Sequence, residues 1–134
     1  MTMGEAMYFF ATDAIDFSVL VDQILVKIEG MEKGSEQIKF ITDKGQQFAM
    51  LHLQDCCESV NVEDVVGDVE DLLNTPIVVA ETRSEDGDVE SFDTFTWTFY
   101  TLRTIKGTVT IRWYGTSNGY YSEDVDFRLL KEQL

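Results

Sequence analysis

The chain has 134 residues, of which 44% are hydrophobic and 12% aromatic, with one proline and nine glycines; it is too apolar for a disordered acidic tail and too poor in breakers for a low-complexity linker. Twenty-five acids against ten bases leave a net charge of −15, so the surface repels DNA, RNA and anionic membranes and excludes them as expected partners. A chain of this length forms a single domain, 1–134, that buries about two-thirds of its extended surface.

The pattern changes period along the chain. Thr12 and Asp13 offer an N-cap to AIDFSVLVDQ, where Ile15, Val19 and Leu20 recur at helical spacing, which predicts a short helix over 13–22. From Ile24 the period is two: Ile24, Val26 and Ile28 alternate with Leu25, Lys27 and Glu29, and EKGS at 32–35 supplies a turn. Residues 36–42 put Ile38 and Phe40 on one face, DKG at 43–45 turns the chain, and 46–54 run back, a three-strand meander. The alternation continues past Gln54, with Cys56, Glu58 and Val60 on one face, until Asp68 or a neighbour caps a short helix near 69–73 that Pro76 ends. A buried strand is expected at 77–82 and a polar loop at 84–91, SEDGDVES. Then come the longest β signals: Phe95, Trp97 and Phe99 alternate with Thr96, Thr98 and Tyr100, Val109, Ile111 and Trp113 alternate with threonines and Arg112, and a last strand holds Val125, Phe127 and Leu129. The expected fold class is α+β, mainly antiparallel β: about eight strands with one or two short helices, in a curled sheet or partly closed barrel, or else in a two-layer α+β arrangement.

Charge is concentrated. Residues 55–93 hold thirteen acids and one base, Arg83, and so carry −12 of the net charge. Within them QDCCESVNVEDVVGDVEDLL, 54–73, holds both cysteines. This stretch, with TWTFYTL at 96–102 and KGTVTIRWYGTSNGYYSEDVDF at 106–127, resembles a family of small acidic domains of bacteriophages and prophage-carrying bacteria that is catalogued as a domain of unknown function. The resemblance spans roughly 24–127. It implies a phage or prophage setting and a stand-alone product, with 1–23 as an N-terminal extension to a β-rich body over 24–130, and it implies no known activity.

Cys56 and Cys57 would point to opposite faces of a strand and are expected as free thiols of a reducing compartment. With His52 they fall short of the four ligands usual for zinc, and the flanking Asp55 and Glu58 oppose thiolate formation, so the expectation is no metal, no cofactor and no catalysis; a thiol or metal site is the third reading. Glycine-rich phosphate loops, triad spacings and HExxH are absent from the sequence. Trp97 and Trp113 share the parity of core neighbours and are expected inside, leaving Arg112 and Tyr114 to meet Asn118 and Tyr120 as a small-ligand, nucleotide-binding group; alternatively Arg112 pairs with Asp55 or Glu58. The leading expectation is a non-enzymatic, cytoplasmic phage protein whose acidic face mimics nucleic acid and blocks a basic host protein, for example a defence nuclease. Its contact residues are Glu63, Asp64, Asp68, Glu70, Asp71, Glu85, Asp86 and Asp88, on exposed helix and loop faces.

Overall fold

The computed structural model describes residues 10–88 and 93–131. Nine strands form among them: β1 (Phe10–Ala14), β2 (Leu25–Glu29), β3 (Gln37–Thr42), β4 (Gln47–Leu51), β5 (Ser59–Val66), β6 (Val79–Asp88), β7 (Thr94–Thr104), β8 (Gly107–Ser117) and β9 (Asp126–Lys131). They pair antiparallel in two sheets, one ordered β1-β9-β4-β3-β2 and the other β5-β8-β7-β6. The expected meander is present as β2-β3-β4. Both sheets have edges, so the partly closed barrel is not formed; the chain takes the two-layer alternative, with both layers made of sheet.

One hydrophobic core lies between the layers. Ile38, Phe40, Phe48, Met50 and Phe127 come from the first sheet and Val60, Val62, Tyr100, Leu102, Val109, Ile111 and Trp113 from the second. The indole N–H of Trp113, fully buried, donates to the Met50 sulfur at 3.1 Å across the interface, which satisfies a polar group that water cannot reach.

Among the described residues helix is confined to two 3-10 turns, η1 (Phe17–Leu20) and η2 (Val69–Leu72). The helix expected over 13–22 shrinks because its first residues are taken by β1, whose Ala14 pairs with Arg128 of β9. The cap moves to Asp16, whose carboxylate accepts from the Ser18 N–H at 2.8 Å. One turn then suffices to seat Phe17 edge-on against Phe127 and Phe40 of one layer and Tyr100 of the other, 4.8–6.4 Å between ring centres. At η2 the expected cap is found: Asp68 accepts from Glu70 N–H at 3.0 Å. Gly67, at φ 118°, makes the bend from β5 into η2, and a side chain there would overlap the Thr108 carbonyl.

Two regions depart from the sequence reading. Ser84–Asp88, expected as loop, continues β6 and pairs residue for residue with β7 out to Asp88 opposite Thr94; the ladder to a strand of strong β propensity overrides the polar composition. Conversely, 52–58 is a loop rather than an extension of β4. Without strand geometry the neighbouring cysteines need not diverge, and Cys56 and Cys57 are joined in a disulfide instead of standing as free thiols.

The parity of β7 is the largest correction. Thr98, Tyr100, Leu102 and Thr104 are the buried residues, while Phe95, Trp97 and Phe99 lie on the outer face, half-buried. Opposite residues of an antiparallel pair share a face, and Thr98 faces Trp113, Tyr100 faces Ile111 and Leu102 faces Val109. The small threonine leaves room for the indole.

This parity has a direct test. Leu102→Ala should destabilise the fold by about 2–5 kcal/mol, as for other fully buried leucines, whereas Phe99→Ala, outside the core, should cost roughly 1 kcal/mol. Denaturant melts of the two variants measure the difference; equal losses would place Phe99 in the core.

Candidate functional site

The second sheet presents its outer face as a ladder of cross-strand rows. In one row Glu85 of β6, Trp97 of β7, Tyr114 of β8 and Asn61 of β5 stand side by side; in the next, Arg83, Phe99, Arg112 and Asp64 do the same. A third row places Phe95 between Gly87 and Thr116. The rings touch: Trp97 and Tyr114 are 4.5 Å apart between centres, Trp97 and Phe99 6.3 Å, and Phe95 and Tyr114 6.3 Å. Phe95 leans over Gly87, where any side chain would collide with the far end of its ring.

Two arginines lie among the rings, and a third, Arg103, stands exposed on the same face beyond Thr101, diagonal to Glu81. The Arg83 guanidinium lies 4.0 Å from the centre of Phe99, and that of Arg112 lies 5.9 Å from Trp97, both within the range of cation–π attraction. Each is neutralised by a carboxylate, Arg83 by Glu85 at 2.5 Å and Arg112 by Asp64 at 2.8 Å. The face is therefore aromatic and internally charge-balanced.

A buried polar clasp fixes one end of this sheet. The Glu58 side chain, fully buried, accepts from His52 Nε2 at 2.6 Å and from the N–H groups of Asp55 and Cys56 at 2.9 and 2.8 Å. His52 Nδ1 lies 2.7 Å from the Asp124 carbonyl, so the ring bridges Glu58 and the loop before β9. Next to Asp124, Glu123 accepts from the hydroxyls of Thr94, Thr96 and Ser117 at 2.5, 2.8 and 2.5 Å. Burial pushes both carboxyl pKa values up. For Glu58 the His52 and backbone bonds outweigh burial and hold the pKa down to about 2, and for Glu123 the hydroxyls and the charge of His52 hold it below the ordinary range.

The eight expected contact residues do not form one surface. Glu63 and Asp64 lie on β5 and Asp68, Glu70 and Asp71 around η2, whereas Glu85, Asp86 and Asp88 lie on β6. β5 and β6 are the opposite edges of the sheet, about 14 Å apart over three strand spacings. Glu85 is on the outer face, but Asp86 and Asp88 have the other parity and line a groove with Tyr121 and Glu123. Asp71 is half-buried, with its carboxylate against Gly107 and its carbonyl accepting from the Thr104 hydroxyl. Lys106 caps η2 by donating to the Leu73 carbonyl at 2.6 Å.

The expected small-ligand group is not brought together either. Arg112 and Tyr114 are on the outer face, six and four residues before Asn118, which lies past the end of β8, and strand rise puts Arg112 roughly 20 Å away. Asn118 caps its own loop by accepting from Tyr120 N–H, and Tyr120 is 83% exposed. The suggested pairing of Arg112 with Asp55 or Glu58 is replaced by the Asp64 pair. What the sequence reading missed is the row Phe95, Trp97, Phe99; the available signal was Leu102, an unambiguous core residue of the opposite parity.

The chain belongs to the family described as a domain of unknown function, DUF7448, whose model matches residues 18–127. The match begins within η1, earlier than the resemblance implied, and takes in every strand of the outer aromatic face. No curated protein and no solved structure matches the chain.

The clasp predicts an acid-sensitive fold. Because the folded pKa of Glu58 lies below the unfolded value of about 4.3, its stabilisation is complete above that value and is lost as pH falls towards 2. Melting temperatures recorded between about pH 5 and 2 should fall less steeply for Glu58→Gln than for the parent chain; parallel curves would remove Glu58 from the account.

Proposed function

We propose that this protein is a non-enzymatic acidic binding protein that docks on a basic surface of a partner protein. In the phage or prophage setting implied by the resemblance, that surface is the nucleic-acid-binding cleft of a host protein such as a defence nuclease, and docking blocks it. The observation that carries the reading is the placement of carboxylates on both edges of one aromatic face, in a chain of net charge −15.

Such an arrangement suits a cationic protein for electrostatic reasons. Edge carboxylates raise the encounter rate with a basic surface and reject polyanions, and the aromatic rings between them supply apolar contact area. The mimicry of nucleic acid resides in the sign and spread of charge: two acidic flanks about 14 Å apart across the sheet, in place of the continuous acidic surface expected from the sequence.

The reading predicts that a basic partner binds at low salt and that its affinity falls steeply as ionic strength rises. Reversing charge at η2, beside the β7–β8 turn, with Glu70→Lys and on the β6 edge with Glu81→Lys and Asp86→Lys, all at exposed positions, should weaken the complex at least about tenfold, mainly through slower association. Surface plasmon resonance on the purified pair measures both rates, and nucleic-acid competition measures blocking. Affinity indifferent to salt and to the three reversals would remove the proposal.

A further inference from the structure

We infer that the outer face of the β5-β8-β7-β6 sheet takes arginine side chains of the partner, stacked on the Trp97, Tyr114 and Phe95 rings. The inference rests on the proposed basic partner and names the chemistry by which it is recognised.

Three observations on the face lead here. The first is that the rings already accept guanidinium groups: Arg83 sits over Phe99 and Arg112 beside Trp97, one from each neighbouring strand. The second is charge. Both of those arginines are paired, with Glu85 and Asp64, so they offer an anionic ligand little, and the chain's net charge of −15 draws a cationic one; Glu81 lies at the opposite end of the face, diagonal to Arg103. The third is the end of the ladder away from Arg83, where Phe95, Trp97 and Tyr114 form a contiguous ring group whose near β6 neighbours are Glu85 and Gly87. A glycine there leaves the ring of Phe95 as the surface.

The other occupants fit less well. A single-stranded nucleic acid would stack on such rings but brings phosphates to a chain of net charge −15. A second copy of the chain would oppose acidic edges to acidic edges. A lysine-rich segment satisfies the charge but not the rings to the same degree, because guanidinium is planar, weakly hydrated and stacks, whereas an ammonium group is a compact, strongly hydrated charge. An extended arginine-rich segment satisfies both requirements. One stacked guanidinium is expected to favour binding by roughly two- to fivefold over lysine.

Titration calorimetry of the intact chain with oligoarginine and oligolysine peptides of equal length tests this at low salt. Oligoarginine should bind more tightly, by about four- to twenty-five-fold if two groups stack, and Trp97→Leu, which keeps apolar bulk and removes the indole, should abolish the preference while lowering oligolysine affinity much less. Tyr114→Ala, checked by a thermal melt, should reduce it as well. Equal affinity for the two peptides, or a preference that survives Trp97→Leu, overturns the inference and leaves the acidic docking intact. Binding of neither peptide overturns both readings. Binding of a single-stranded oligonucleotide that is lost in Trp97→Leu assigns the face to nucleic acid and overturns the inference.

Discussion

The volume of one side chain governs the second sheet. Trp113 is fully buried and needs a small neighbour on the same face; the β7–β8 register supplies Thr98. Once Thr98 points inward, strand alternation sends Phe95, Trp97 and Phe99 outward together. A shift of register by one residue would reverse both faces and set Trp97 against the layer that already holds Phe40 and Phe48. The exposed aromatic face is thus a consequence of how the core is filled. Its cost is reduced because each ring leans on another ring, on an arginine or on Gly87, and none stands free in solvent.

The ends of the sandwich are held by polar groups in place of further apolar area. Glu58, His52 and the Asp124 carbonyl connect the loop after β4, the start of β5 and the loop before β9, while Glu123 joins that last loop to β7 and β8 through three hydroxyls. Segments far apart in sequence thereby share one bonded network. Removing a single member strands a buried charge, which is costlier than never having built the pair. The sheet beneath the aromatic ladder is therefore anchored at its β5 and β8 ends, a rigid platform of the kind that binding residues require.

Much of the fold was legible. The period-two runs of β2, β3, β4, β8 and β9, the turns at Gly34 and Gly45 and the Asp68 cap follow from local chemistry. What was not legible depended on contacts between distant segments. β7 has large residues on both faces, so alternation alone could not orient it, and the bulkier set was assigned to the core. Ser84–Asp88 reads as loop by composition and becomes strand through its ladder with β7. His52 and Glu58 gave no signal of a clasp because the carbonyl that completes it belongs to Asp124. For the site, charge is legible in total but not in layout: the sheet order puts Glu63 and Asp64 on the edge opposite 85–88, and η2 carries Asp68, Glu70 and Asp71 to the β7–β8 turn.

Trp97 faces outward and Trp113 inward, and collisional quenching of single-tryptophan variants measures that orientation directly. With Trp113→Phe, the remaining Trp97 should emit at long wavelength and be quenched efficiently by acrylamide; with Trp97→Phe, the remaining Trp113 should emit at short wavelength and resist quenching. The reverse assignment, with Trp97 protected and Trp113 accessible, would contradict the orientation of β7 and with it the aromatic face.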